Sequence, residues 1–314
     1  MKQEKILVIK LGAFGDFIAM MSRMLWIRKR HPEAALTLMT GKAYIQLAKS
    51  MEIFDSYIID NRASYWNLTD KLRLCREVRA GEFDVVYDLQ ATSRTRNVYF
   101  GVFKLLNKKK FVWIDTPHND ERRVIPGTWF RRAQVEVREA ALGEAPIPTK
   151  LEFMKADREL MESLPRPYVL MIPGCSPTHP HKRWPSEHFA ALAQMLAKHG
   201  IHSVVIGTKA ESAEVNRVAE ASPMVVSLLN RTKMTDIADL ARHALVTVGN
   251  DTGPSHIATR TGAPLIGLFA TRTKPCSLKG EKTVNIISKG TIDLISPNEV
   301  WDTMLPYISS FVKP

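Results

Sequence analysis

The 314-residue chain carries 44 Lys and Arg against 32 Asp and Glu, a net charge of +12 with a pI of about 9.6. Its 45% hydrophobic and 24% charged content suits a globular protein of two domains, and no run approaches the roughly 18 apolar residues of a membrane span. Cys75, Cys175 and Cys276 lie far apart with no CxxC pair, which argues against a disulfide framework or a cysteine zinc site.

The excess charge is uneven. Residues 1–150 hold 26 Lys and Arg against 17 Asp and Glu, or +9, and the rest hold 18 against 15, or +3. An acidic partner follows: nucleic acid, an anionic membrane surface or a phosphorylated substrate. The opening Met1-Lys2-Gln3-Glu4-Lys5 lacks the long apolar core and cleavage site of a signal peptide, so a cytoplasmic location is expected.

In chain order, Lys5–Lys10 reads as a buried strand and Leu11-Gly12-Ala13-Phe14-Gly15-Asp16 as a turn into a helix over Phe17–Lys29. Strands at Ala35–Met39, Tyr57–Ile59, Asp84–Leu89 and Phe111–Ile114 alternate with helices near Tyr44–Met51, Leu68–Arg79 and Arg96–Leu106. A Pro-rich stretch follows, giving a first domain over 1–150 and a linker over 151–167, with a strand near Leu151–Met154. A second series then begins with strands at Tyr168–Ile172, Ser203–Ile206, Val225–Leu228, Leu245–Val248 and Leu265–Phe269. Helices near Ser186–His199, Ala210–Ala221, Asp236–His243 and Ser255–Thr261 separate them. This second domain spans 168–296, and a final helix begins at Ser296-Pro297 within 297–314. Alternation at this spacing predicts an α/β protein with two parallel sheets, whose ligand sites lie at the carboxyl ends of the strands.

Three turns carry candidate chemistry. The first, with Gly15 and Asp16, is neither a GxGxxG fingerprint nor a Walker loop, and Asp16 fits either a helix cap or a general base. In the second, Pro173–Pro185, Ser176 and Thr178 offer hydroxyls, while Lys182 and Arg183 offer charge to a phosphate or to solvent. Its histidines, His179, His181 and His188, lack nearby Cys or carboxylate ligands for a metal. In the third, Val246–His256, Asp251 and Thr252 read as caps of a helix entered through Gly253-Pro254, whose free N–H groups form an anion site. His256 follows Thr252 by one turn, so both can face one ligand. No Asp-x-Asp motif occurs, so neutralising a diphosphate falls to Lys182 and the turn at Thr252-Gly253.

Gly15-Asp16, Lys182-Arg183-Trp184-Pro185 and Asn250-Asp251-Thr252-Gly253-Pro254-Ser255-His256, in this order, resemble glycosyltransferase family 9, the ADP-heptose:lipopolysaccharide heptosyltransferases. The resemblance implies a GT-B architecture of two Rossmann-like domains facing a cleft, acceptor on the first and nucleotide sugar on the second, with a last helix that returns to the first domain. It implies inverting transfer from an ADP-sugar, with no cofactor and no metal, while the +9 of the first half suits an anionic glycolipid acceptor and contact with the inner face of the inner membrane. Asp16 matches the base beside Gly15. Lys182, Thr252 and Gly253 match donor-phosphate positions flanked by Ser176, Thr178 and His256, and Asp251 matches a position near the donor sugar. Two stretches depart from the family's pattern. Phe17-Ile18-Ala19-Met20-Met21-Ser22 lacks its small-residue and Thr/Pro pattern, and Asn230–Thr235 lacks a glycine common before the adenosine pocket. A nucleotide-sugar epimerase or hydrolase would share fold and donor site. A nucleic-acid-binding protein would explain the charge, but no aromatic-basic interleaving or recognition module is visible.

Overall fold

The apolar runs form two separate sheets, each covered by helices. The computed structural model describes residues 3–60, 68–92, 95, 99–106, 111–115, 135–139, 150–176, 178–276 and 278–312. The chain divides into two units, Met1–Pro148 and Thr149–Pro314.

The first unit runs β1 (Lys5–Ile9), α1 (Phe14–Arg30), β2 (Ala35–Thr40), α2 (Ile45–Lys49), β3 (Ser56–Ile59), α3 (Leu68–Gly81), β4 (Val85–Asp88), α4 (Phe100–Leu106), β5 (Phe111–Asp115) and β6 (Val135–Glu139). Its six strands pair in the order β3-β2-β1-β4-β5-β6, and every pairing is parallel. Ile6, Leu7, Val8 and Ile9 are fully buried, as a central parallel strand covered on both faces requires. The buried stripe of α1, Phe17, Ile18, Met21, Met24 and Ile27, repeats at the helical period. On the inner side of α3, Leu74 and Val78 pack into the core with Phe83 and Phe111.

The second unit runs α5 (Arg158–Glu162), β7 (Tyr168–Ile172), α6 (Ser186–Lys198), β8 (His202–Gly207), α7 (Ser212–Ala219), β9 (Val225–Leu229), α8 (Asp236–His243), β10 (Thr247–Asn250), α9 (Gly253–Ala258), β11 (Leu265–Phe269), β12 (Thr283–Ile287) and α10 (Pro297–Ile308). Its order, β12-β11-β10-β7-β8-β9, repeats the pattern of the first sheet, and all pairings are parallel. Connections leave in opposite directions from β1 and β4 in one sheet and from β7 and β10 in the other. Each such switch point opens a crevice at the carboxyl ends of the strands.

Several expectations change. The 151–167 segment belongs to the second unit rather than bridging freely, and residues 151–154 form a turn instead of a strand. Leu151 and Met154 are fully buried. Arg242 donates to both of their carbonyls, and the Ala156 N–H donates to Asp239 Oδ2 at 3.0 Å. The last helix, expected to return to the first domain, has Val300, Met304 and Ile308 in the second unit's own core beside Trp184 and Leu192. Helix α1 starts three residues earlier than read, while α9 begins at Gly253 with Thr252 at the cap position, as the Thr252-Gly253-Pro254 turn implied. Residues 96–98 of the helix read at Arg96–Leu106 lie outside the described residues. Among the described residues, no helix is long and apolar enough to cross a membrane.

Candidate functional site

In the first unit, the turn leaving β1 is braced by the turn leaving β4, its neighbour at the switch point. Gln90 Oε1 accepts the Leu11 N–H at 2.9 Å. Asp88 Oδ1 accepts the N–H groups of Gln90 and Ala91 at 3.1 and 3.0 Å, which folds that turn. Gly12 has φ +126°, a region open chiefly to glycine, and a Cβ there would lie 2.5 Å from the Tyr44 hydroxyl. Tyr44 stacks on Phe17 of α1 with ring centroids 5.1 Å apart and an interplanar angle of 10°. Gly12→Ala is therefore expected to cost about 1–3 kcal/mol, read as a lower melting temperature.

This bracing aims the first turn of α1. The helix cap is Ala13, which makes no side-chain cap bond, so Asp16 is not the cap that the sequence also allowed. Asp16 sits in the first helical turn, exposed, and among the described residues nothing bonds its carboxylate. Gly15 is half-buried beside it. An unshared carboxylate near a helix start, at a switch point, is free to take a proton from a ligand.

In the second unit, Asn250 closes β10 fully buried. Its Nδ2 donates to the Pro173 carbonyl at 2.7 Å, and its Oδ1 accepts the Trp184 N–H at 3.0 Å. One amide thus ties the end of β10 to both ends of the loop after β7. Trp184 is buried against Phe189, with centroids 4.7 Å apart, and donates its Nε1–H to the Ile295 carbonyl at 2.9 Å. Arg183 pairs with Glu214 and donates to the Cys175 carbonyl at 3.0 Å, so it serves the loop rather than a ligand. Gly174 lies close under Glu211: a Cβ there would come 2.6 Å from Glu211 Oε1, so that side chain would have to shift.

This scaffold delivers Lys182 onto Asp251. Lys182 Nζ lies 2.5 Å from Asp251 Oδ2, and His256 Nε2 lies 3.4 Å from Oδ1. The Asp251 side chain is 6% exposed. Burial pushes its carboxyl up, but hydrogen bonds from His256 and Lys182, with the Lys182 charge, outweigh that and hold it below the ordinary value. Asp251 therefore stays ionised and does not cap α9. Thr252 occupies the cap position without a side-chain cap bond. Helix α9 has only six residues, so what it offers an anion is the N–H groups of its first turn, at Thr252 and Gly253, more than a long macrodipole.

The structure thus gathers Lys182, Asp251 and His256 into one charged group with Thr252 and Gly253 next in sequence. Ser176 and Thr178 are exposed and bond to each other at 2.8 Å between hydroxyls. The three histidines diverge: His179 and His181 stack at 5.7 Å, while His188 packs on Trp184. Among the described residues, no group of three or more His, Cys, Asp or Glu could hold a metal ion. Sequence reasoning missed the bracing residues Gln90, Tyr44, Asn250 and Glu211. Asn250 alone left a signal, as a polar residue ending an apolar strand directly before Asp251.

The sequence profile of glycosyltransferase family 9 (heptosyltransferase) matches residues 133–291, half of the chain. The chain belongs to glycosyltransferase family 9. It is 32% identical to lipooligosaccharide heptosyltransferase 2 of Haemophilus influenzae over 109 residues, 33% of this chain and 31% of that protein. With lipopolysaccharide heptosyltransferase 2 of Salmonella typhimurium it shares 22% identity over 84% of this chain and 82% of that one. The E. coli heptosyltransferase WaaC, solved with ADP-2-deoxy-2-fluoro heptose, superposes with a TM-score of 0.72 at 18% identity, over 96% of this chain and 99% of that one. The two Rossmann-like units are those of the GT-B fold, and this family 9 member is a glycosyltransferase. At the start of the Asn230–Thr235 stretch, Asn230 takes φ 56°. Asparagine is among the few non-glycine residues that enter this region readily.

Proposed function

We propose that this family 9 glycosyltransferase moves a heptose, or a related sugar, from an ADP-sugar to an anionic glycolipid of lipopolysaccharide-core type, with inversion and without a metal. The observation that carries the reading is the Lys182–Asp251–His256 group at the switch point of the second sheet. The donor diphosphate sits on Lys182 Nζ and the N–H groups at Thr252 and Gly253, with Ser176, Thr178 and His256 at its margin. Asp251 holds Lys182 until the phosphate arrives and then accepts from a sugar hydroxyl. The heptosyltransferases among its relatives, and a structural neighbour solved with an ADP-heptose analogue, support this donor class.

In the reaction, the acceptor hydroxyl gives its proton to Asp16 as its oxygen attacks the anomeric carbon opposite the diphosphate. The bond to the diphosphate breaks and ADP leaves. The fixed charge of Lys182 and the Thr252-Gly253 amides stabilise the negative charge on that leaving group, with no rearrangement needed at the moment of transfer. The +9 of residues 1–150 draws the first unit to a phosphorylated acceptor at an anionic, cytoplasmic membrane face.

Incubation with ADP-heptose and heptose-free lipopolysaccharide core tests the reading by mass spectrometry and NMR. A gain of one heptosyl residue, with the opposite anomeric configuration and full activity in a chelator, is expected. An ADP-sugar that is epimerised or hydrolysed, with the acceptor untouched, overturns it.

A further inference from the structure

Among the described residues, two large apolar side chains of the first unit stand out in solvent: Leu72, 56% exposed, and Leu105, 83% exposed. They lie on α3 and α4, which pack side by side on one face of the first sheet. At helical spacing, the outward stripe of α3 reads Leu72, Arg76, Arg79, and both arginines are exposed. Its inward stripe, Leu74 and Val78, is already spent in the core.

The charge on this face is one-sided. Of the two carboxylates on α3, Asp70 and Glu77, each is paired with Arg73, at 2.7 and 2.8 Å. Arg73 also donates to the Ile59 carbonyl at 2.7 Å, which pins that network to the edge of the sheet. The acidic groups are thus neutralised within the helix, while Arg76 and Arg79 flank Leu72 unopposed by any carboxylate on α3. Single exposed leucines are ordinary, but two on adjacent helices, with outward arginines on α3, give the described part of this side both apolar and cationic groups.

We propose that this α3–α4 face is where the protein docks on an anionic lipid bilayer. A bilayer is flat, negatively charged at its surface and apolar just beneath. Exposed leucines enter the acyl boundary while arginines stay among the headgroups. A protein partner would more often meet such leucines with a pocket and the arginines with specific carboxylates; a lipid surface needs neither. The inference rests on the reading of the acceptor as a glycolipid, because docking holds the enzyme where such an acceptor lies.

The full-length protein is sedimented with vesicles of phosphatidylcholine alone and of phosphatidylcholine mixed with phosphatidylglycerol. Binding is expected only to the anionic vesicles, and to weaken as salt is raised. The pair Leu72→Ser with Leu105→Ser, and separately Arg76→Glu with Arg79→Glu, should each lower binding at least about tenfold, given the apolar area and charge removed. Leu294→Ser, which removes an exposed leucine of the second unit, should leave it unchanged. All three variants should keep the wild-type melting temperature and transfer to a deacylated, water-soluble acceptor. Vesicle binding unaffected by both pairs, or absent in the wild type, overturns the docking face. Loss of transfer to the soluble acceptor in a wild type that still binds vesicles instead sinks the functional reading and leaves the surface standing.

Discussion

Asp16→Asn is expected to lower transfer by about 10²–10⁴, the range that a positioned general base supplies, while leaving the affinity for ADP-sugar close to wild type. Three features make Asp16 the side chain to test. It lies in the first turn of α1, at the switch point of the first sheet. Among the described residues nothing bonds its carboxylate, so removing it breaks no network. Its turn is held by Gln90, Gly12 and Tyr44, a stiffness that a mere surface cap would not need. The asparagine keeps shape and loses the proton acceptor, so melting should barely move. Single-turnover transfer at saturating donor reads the effect, and undiminished turnover would remove Asp16 from the mechanism.

Lys182→Met is the second large effect, and it should appear in two measurements. Donor affinity should fall by roughly tenfold to a hundredfold, the value of one charge-assisted phosphate contact. Stability should fall by about 1–3 kcal/mol, because a buried carboxylate loses its cation. The pH dependence has a definite sign. Asp251 titrates below its ordinary value in the folded protein. Its ionised form therefore contributes stability that is fully present above the unfolded carboxyl's pKa of about 3.9 and is lost as pH falls through the lower folded value. In the variant, burial is opposed by His256 alone, so the carboxyl titrates higher. The stability gap between wild type and variant should be widest at neutral pH and close as acid protonates Asp251 in both. Melting curves from pH 7 down to about 3 check this, and a gap independent of pH would mean that Lys182 does not act through Asp251.

The fold was largely legible because central parallel strands, buried on both faces, are unbroken apolar runs such as Ile6–Ile9 and Val169–Ile172. What escaped were pieces with weaker patterns. Strands β6, Val-Glu-Val-Arg-Glu, and β12, Thr-Val-Asn-Ile-Ile, end their sheets, and edge strands carry polar residues that blur the run. The five-residue α5 is too short to show a period. In the second unit, Lys182, Asp251 and His256 were legible because they lie in the segments that follow β7 and β10, in the loop after β7, directly after β10 and in the first turns of α9, where function concentrates. Their braces were not, since Asn250 to Pro173 and Glu211 beside Gly174 are contacts between distant segments with no local signature. The roles of Asp16 and Asp251 were ambiguous between cap and chemistry. The helix starts and the Lys182 pair decide against capping in both cases.

The segment ahead of β7 bears on how such proteins could exchange halves. Leu151 and Met154 are buried in the second unit, and Arg242 of α8 holds their carbonyls. A chimera joined at the first strand of that unit, Tyr168, would discard both side chains, open two voids and strip the half-buried Arg242 guanidinium of its carbonyl partners, leaving it Asp239 alone. A junction ahead of Lys150 would carry the strap along with the half it seals. Recombination that traded one first unit for another would meet its natural seam there, well upstream of where the second sheet begins.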